Sequence, residues 1–334
     1  MTLLARDEAD VVGAHLEFHL NAGVDMVVAM DNRSEDGTSQ ILESYARAGH
    51  VQLLREESDT FDQSTWVTQM SRLAATDLAA DWVLHSDADE FWWPRGGDLK
   101  EVLAATPPRY GVLRAPIRHF FLSADGGKDS FAERMVVRAR PTAPVNQPEN
   151  PLRPNTHIVH RADRGAVVTA GNHALRGTAL VPLPGWHPIE VLHFPLRSLE
   201  QARRKYENWV RVRAGREYPD AFEASRRGDL DGFVRSKLLD PEVRARGLAE
   251  GSLVEDTRLR DALRTLADPD KDGLTFPHSP PAEEAAYAAE IAVLAEADAV
   301  RLQRRLDEIE ARIASLEGGP AAQARRSLAR VLQR

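Results

Sequence analysis

Cysteine is absent from this 334-residue chain. That excludes a disulfide scaffold, a thiolate metal site and a cysteine nucleophile, and any metal must be held by oxygen and imidazole. No apolar run approaches the ~18 residues needed to cross a bilayer. The start, Met1–Glu8, is too short and too acidic to read as a secretory leader. An excess of basic charge is missing as well: 43 basic and 51 acidic groups leave a net charge of -8, a poor match to nucleic acid. Lysine is scarce, at five residues against 38 arginines, a skew that genome composition alone can produce. What remains is an ordinary globular composition, 43% hydrophobic and 28% charged, too apolar for a mostly disordered chain. The length suits one large domain with an appendage, or two modest domains. The expected location is the cytoplasm, with contact to the inner membrane face as a further option.

The first hundred residues alternate strand and helix signals. Leu3-Leu4 opens a strand, and Val12, Leu16 and Leu20 mark a helix that stops at Asn21-Ala22-Gly23. Met26–Met30 is a continuous apolar run, the pattern of a strand buried on both faces. Further strands are expected at Val51–Leu54 and Trp82–Leu84, with helices at Ser39–Arg47 and Trp66–Asp77. Alternation of this kind predicts a parallel α/β sheet. Beyond Pro94 come short strand-like runs (110–116, 134–138, 156–160, 166–168 and Ile189–His193), then a basic helix over 198–214. The chain is read as a main domain over 1–240, a helical extension over 241–267, a proline-rich linker over 268–281, and a long helix with a basic tail over 282–334.

Ligands of open α/β sheets bind outside the carboxyl ends of the strands. Two acidic loops fall there. Asp87-Ala88-Asp89 could bring two carboxylates to one hard divalent ion, magnesium or manganese, which keeps open positions for substrate phosphates. A solvated acidic turn is the plainer alternative. Asp31-Asn32-Arg33-Ser34, continuing through Asp36-Gly37-Thr38, could hydrogen-bond a ribose or a base edge, or serve only as turn and helix-cap residues.

These segments, in this order, resemble the nucleotide-binding half of family 2 glycosyltransferases with the GT-A fold, in a branch that also resembles the family 92 (DUF23-like) enzymes. The matching residues are Ala5-Arg6-Asp7-Glu8-Ala9-Asp10, His19–Asp25, Asp31–Thr38 and Trp82–Phe91. A weaker likeness runs through Gly171-Asn172-His173 and Val191–Ser198 to Lys205. The resemblance implies a mixed, Rossmann-like sheet flanked by helices and a nucleoside diphosphate sugar donor. It implies that Asp31 lies near the nucleoside, and that Asp87 and Asp89 hold the ribose and a metal bridging the diphosphate; Arg6, Glu8, Asn32 and Ser34 are further candidates for binding the donor. His193, at the end of an apolar strand, is the best third metal ligand, with His173 as its competitor; a partly buried structural histidine is the alternative.

An inverting transferase also needs a general base for the acceptor hydroxyl. Glu190 ranks first, beside Trp186-His187 where a sugar could stack, then Asp163, then Glu133; the acidic pair usual in family 2 is not recognisable. Arg197 and Lys205 could reach the diphosphate, and Gln69 and Arg72 raise the same prospect. The basic helix could instead face anionic lipid, a phosphorylated acceptor or only solvent. Trp66, Trp92 and Trp93 could stack on sugar or belong to the core. The acceptor is a glycan, a lipid-linked molecule or a small molecule. Two other readings use the same residues: a nucleotidyltransferase or metal-dependent phosphohydrolase, and a silent sugar-nucleotide-binding scaffold.

The last helix carries Ala288, Ala292, Ala295, Ala299, Leu302, Leu306, Ile309, Ile313 and Leu316, with spacings alternating four and three. That is a heptad, with Arg305 and Glu310 on its flanks. It predicts either a coiled coil, including a homo-oligomer, or one amphipathic helix docked on its own domain.

Overall fold

The structure is a computed structural model that describes residues 1–58, 61–124, 129–140, 155–213 and 219–318. The chain forms β1 (Thr2–Ala5), α1 (Val12–Asn21), β2 (Val27–Asp31), α2 (Thr38–Arg47), β3 (Val51–Arg55), α3 (Gln63–Thr76), β4 (Trp82–Asp87), β5 (Glu90–Pro94) and α4 (Leu99–Ala104). Next come β6 (Val112–Phe121), α5 (Phe131–Arg134), β7 (Val137–Ala139), β8 (Thr156–Arg161), the small hairpin β9 (Val167–Val168) and β10 (Leu175–Arg176), and β11 (Ile189–His193). The remainder is α6 (Leu199–Arg213), α7 (Pro219–Arg226), α8 (Leu230–Arg235), α9 (Pro241–Glu250), β12 (Leu253–Glu255), α10 (Arg258–Ala267) and α11 (Pro281–Gly318).

The main sheet runs β12-β7-β6-β8-β4-β1-β2-β3, with β11 pairing both β5 and β6. Its β4-β1-β2-β3 part is parallel; β8 is antiparallel to both β4 and β6. This is the mixed α/β sheet flanked by helices that the sequence predicts. The apolar run in β2 is buried throughout, because both sheet faces are covered. Val27 and Ala29 join Leu3, Leu16 and Phe18 under α1, whereas Val28 and Met30 meet Trp66, Met70 and Ala74 of α3. Burying each such large aliphatic side chain is worth about 1.5–3 kcal/mol.

Register fixes the functional edge. Ala5 lies opposite Asp31, and Leu4 opposite Asp87, so the ends of β1, β2 and β4 are level. The α3 helix starts at Gln63, earlier than its apolar pattern suggests, because Asp62 caps it by accepting from Thr65 N.

The described residues divide into two units: Met1–Arg140 with Asn155–Ala285, and the chain from Ala286 on. The first unit runs past residue 240 as far as Ala285. The extension and the proline-rich stretch belong to the first unit: β12 pairs with β7, and Leu259, Ala262 and Phe276 sit in its core. In the second unit the described part is the continuation of α11, and the basic tail lies outside the described residues. Among the described residues no helix is long and apolar enough to cross a membrane.

Candidate active site

A cleft of about 680 Å³ opens at the level ends of β1 and β4. Its walls bring together eight of the residues picked out from sequence: Arg6, Glu8, Asn32, Asp87, Asp89, His173, His193 and Lys205.

The β1 end is built by local turn chemistry. Asp7 takes a left-handed backbone, φ 54, a conformation costing a non-glycine residue roughly 1–2 kcal/mol. Its own bonds hold it there: Asp7 N donates to Ser34 Oγ (3.1 Å), and its carboxylate accepts from Glu35 N (2.8 Å) and Asn208 Nδ2 (3.3 Å). Arg6 Nη1 donates to Asn32 Oδ1 at 3.2 Å, which fixes both at the cleft wall. Asp31 itself is 2% exposed and outside the cleft. Its carboxylate accepts from Ser34 N (3.0 Å), Arg55 Nη1 (3.1 Å) and Ser39 Oγ, so the turn reading holds for Asp31 and Ser34, and Asn32 is the residue presented.

The β4 end carries the carboxylates. Gln63 donates to Asp87 Oδ1 at 3.2 Å and accepts from Gly171 N at 2.9 Å, tying the carboxylate to the loop that carries His173. Burial, then repulsion from Glu90 and Asp89, pushes the Asp87 carboxyl up to about 7. Asp89 has the opposite fate. Burial would raise it, but Lys205, His193 and Arg197 hold its carboxyl well below the usual range. Lys205 Nζ donates to Asp89 Oδ2 at 2.5 Å, and His193 Nε2 stands 3.7 Å from the same oxygen. Burial opposes the charge on Lys205, yet Asp89 and Glu8 raise its pKa, so the ammonium persists.

Strand register supplies the imidazoles. β11 sets His193 opposite His119 of β6 and Glu90 of β5, and the Nδ1 atoms of the two histidines are 3.0 Å apart. Burial, then the neighbouring His193, lowers His119 to about 3, so it is neutral at pH 7. His157 bonds Glu90 Oε1 at 2.6 Å; burial works against its charge, but Glu90 raises its pKa. His173 stacks on His157 with ring centroids 5.1 Å apart and bonds Thr156 O through Nδ1 at 2.9 Å.

The other expected residues lie elsewhere. Ser34 and Asp31 serve the turn described above. Glu190, read as the base, is 1% exposed and paired to Arg118 (2.6 Å), Arg258 (2.7 Å) and Arg95 (2.9 Å). It is three residues from His193 on one strand, and period-two alternation sends the two to opposite faces. Asp163 is consumed by a surface turn, accepting from Thr178 Oγ1 (2.5 Å) and Gly165 N (2.8 Å). Arg197 is fully buried and clamps Asp10 with two bonds of 2.9 Å, besides pairing with Glu8. It therefore positions the β1 end and is not on the cleft surface. Gln69 and Arg72 lie on the solvent face of α3. Glu133 pairs with Arg264. Trp66 and Trp92 are core residues, and Trp93 packs against that core. Trp209, not singled out from sequence, lines the cleft instead, with Lys205 Nζ 5.4 Å from its ring centre.

As metal donors, two carboxylates and an imidazole suit a hard or borderline divalent cation. The raised Asp87 marks a place where added positive charge would be favourable. Among the described residues no three His, Asp or Glu side chains already surround one point. Lys205 occupies Oδ2 of Asp89, so the donor set fits in kind and a cation would compete with that ammonium.

No family model matches this chain, and no curated protein matches it in sequence. Its fold is similar to solved structures of S. aureus TarS. One, residues 1–349 in complex with UDP-GlcNAc, is 14% identical with a TM-score of 0.33, over 63% of this chain and 66% of that one. A second, in complex with UDP, is 14% identical with a TM-score of 0.33, over 63% and 65%. The chain thus spans just under two thirds of the length of these TarS structures.

Proposed function

We propose that this chain is a glycosyltransferase that moves a sugar from a nucleoside diphosphate sugar to an acceptor hydroxyl, with inversion. The observation that carries the reading is the placement of Asp87-Ala88-Asp89 in the wall of a cleft at the aligned ends of β1 and β4. Cations and carboxylates share that cleft: Arg6, Arg204 and Lys205 suit a diphosphate, and Asp7 and Asn32 suit ribose or base. Asp87 and Asp89, with His193, are the residues that would hold a manganese or magnesium ion. Such an ion would supply charge stabilisation for the departing diphosphate. Lys205 offers a second positive charge at the same place. The acceptor's proton needs a base within reach; His173 and Asp62 line the cleft, whereas Glu190 and Asp163 do not.

A thermal-shift screen of nucleotide sugars, with and without manganese, tests the reading. A donor present at ~100 times its dissociation constant adds about 2.7 kcal/mol of stability. The expected result is a shift with one nucleotide family, enlarged by manganese. Absence of a shift with every uridine, guanosine, adenosine and thymidine diphosphate sugar would refute it.

A further inference from the structure

Among the described residues, α11 is the longest helix: 38 residues, about 57 Å at 1.5 Å per residue. Its apolar positions near the C-terminal end are bare. Leu302 is 64% exposed, Leu306 53%, Ile309 48% and Ile313 49%. Four large aliphatic side chains in a row on one helix face are a surface that water solvates poorly. Spaced four, three and four apart, they occupy d, a, d and a of a heptad that Ala288, Ala292, Ala295 and Ala299 begin and Leu316 ends. Such a seam extends over four heptads.

The flanking charges select the occupant and its direction. With Leu306 at a, Arg305 and Arg312 fall at g, and Glu310 and Glu317 at e. In a parallel, in-register pair, each g residue faces the e residue five positions further along the other helix. Arg305 then meets Glu310, twice over by symmetry. An antiparallel pair would set g against g and e against e, arginine on arginine and glutamate on glutamate. We propose that this face of α11 binds the same face of a second copy of the chain, as a parallel two-stranded coiled coil. The proposal is independent of the chemistry assigned to the cleft.

Light scattering of the full chain tests it. The expected mass is twice 37.1 kDa, falling to 37.1 kDa for the Leu306→Asp, Ile309→Asp variant. Charge is tested on variants that leave the seam intact. Arg305→Glu should weaken dimerisation by roughly tenfold or more, and adding Glu310→Arg to it should restore the dimer. Direction is read from one engineered thiol in this cysteine-free chain. Ala299→Cys at an a position should form an intermolecular disulfide on mild oxidation, since parallel register sets the two thiols face to face. A monomeric mass at tens of micromolar, a trimeric mass, a dimer indifferent to Arg305→Glu, or no crosslink through residue 299 would each overturn the proposal.

Discussion

Replacing Glu190 with glutamine separates two roles that one carboxylate could play. In the fold it is the shared anion of three guanidinium groups, at 2.6 Å from Arg118, 2.7 Å from Arg258 and 2.9 Å from Arg95. Arg118 is 1% exposed, so water cannot replace the lost charge. Breaking a buried ion pair by removing one partner costs about 3–5 kcal/mol. Glutamine can still accept a hydrogen bond, which places Glu190→Gln near the lower figure, about 3 kcal/mol. For a body of this size, at about 2.1 cal/mol/K of unfolding entropy per residue, that corresponds to a fall in Tm of roughly 5 °C.

The pH dependence has a definite sign. Burial would raise the Glu190 carboxyl, but Arg258, Arg118 and Arg138 hold it well below its ordinary value of 4.5. Its contribution is therefore complete above that value and is lost as pH falls through the lower folded value. The Tm gap between parent and variant should be full at pH 7 and should narrow in strong acid. The assay is thermal denaturation across pH, paired with calorimetric titration of the donor. Donor affinity should persist in the folded variant. An unchanged Tm with turnover abolished would refute the structural assignment and return Glu190 to the role of base.

Two further predictions concern the cleft. Asp87→Asn should raise Tm more at pH 8 than at pH 5, because a carboxyl pushed up to about 7 destabilises the fold only where it is ionised, and the same change should weaken manganese-dependent nucleotide binding; denaturation scans at the two pH values and a manganese titration check both. Lys205→Met should weaken nucleoside diphosphate binding by roughly 10- to 100-fold, the equivalent of one charge-assisted hydrogen bond, with little effect on binding of the bare nucleoside, as read by calorimetry.

The parts legible in the sequence are those that local pattern determines. The β2 run, the strand ends carrying Asp31 and Asp87, and the heptad of α11 all follow from residues a few positions apart. Glu190 and His193 differ in parity within Ile189–His193, so alternation along the strand separates their faces, whereas the three arginines around Glu190 come from distant segments. Other features depend on distant pairing. His119 and His193 meet only through parallel pairing of β6 with β11, and His157 reaches Glu90 because β8 inserts between β4 and β6. Gln63 gains its partner only where the chain returns at Gly171, 108 residues later. The placement of 241–285 within the first unit rests on β12 joining β7 and on Phe276 filling the core, neither of which a proline-rich stretch announces.

The central claim is that Asp87 and Asp89 form the donor's cation site in the cleft. Calorimetric titration of a nucleoside diphosphate into the parent chain and into Asp89→Asn, each at fixed manganese, tests it most directly. The account predicts manganese-dependent binding to the parent and at least a tenfold loss in the variant, with Tm measured to confirm that the variant is folded. Equal affinity in both proteins, with and without manganese, would contradict it.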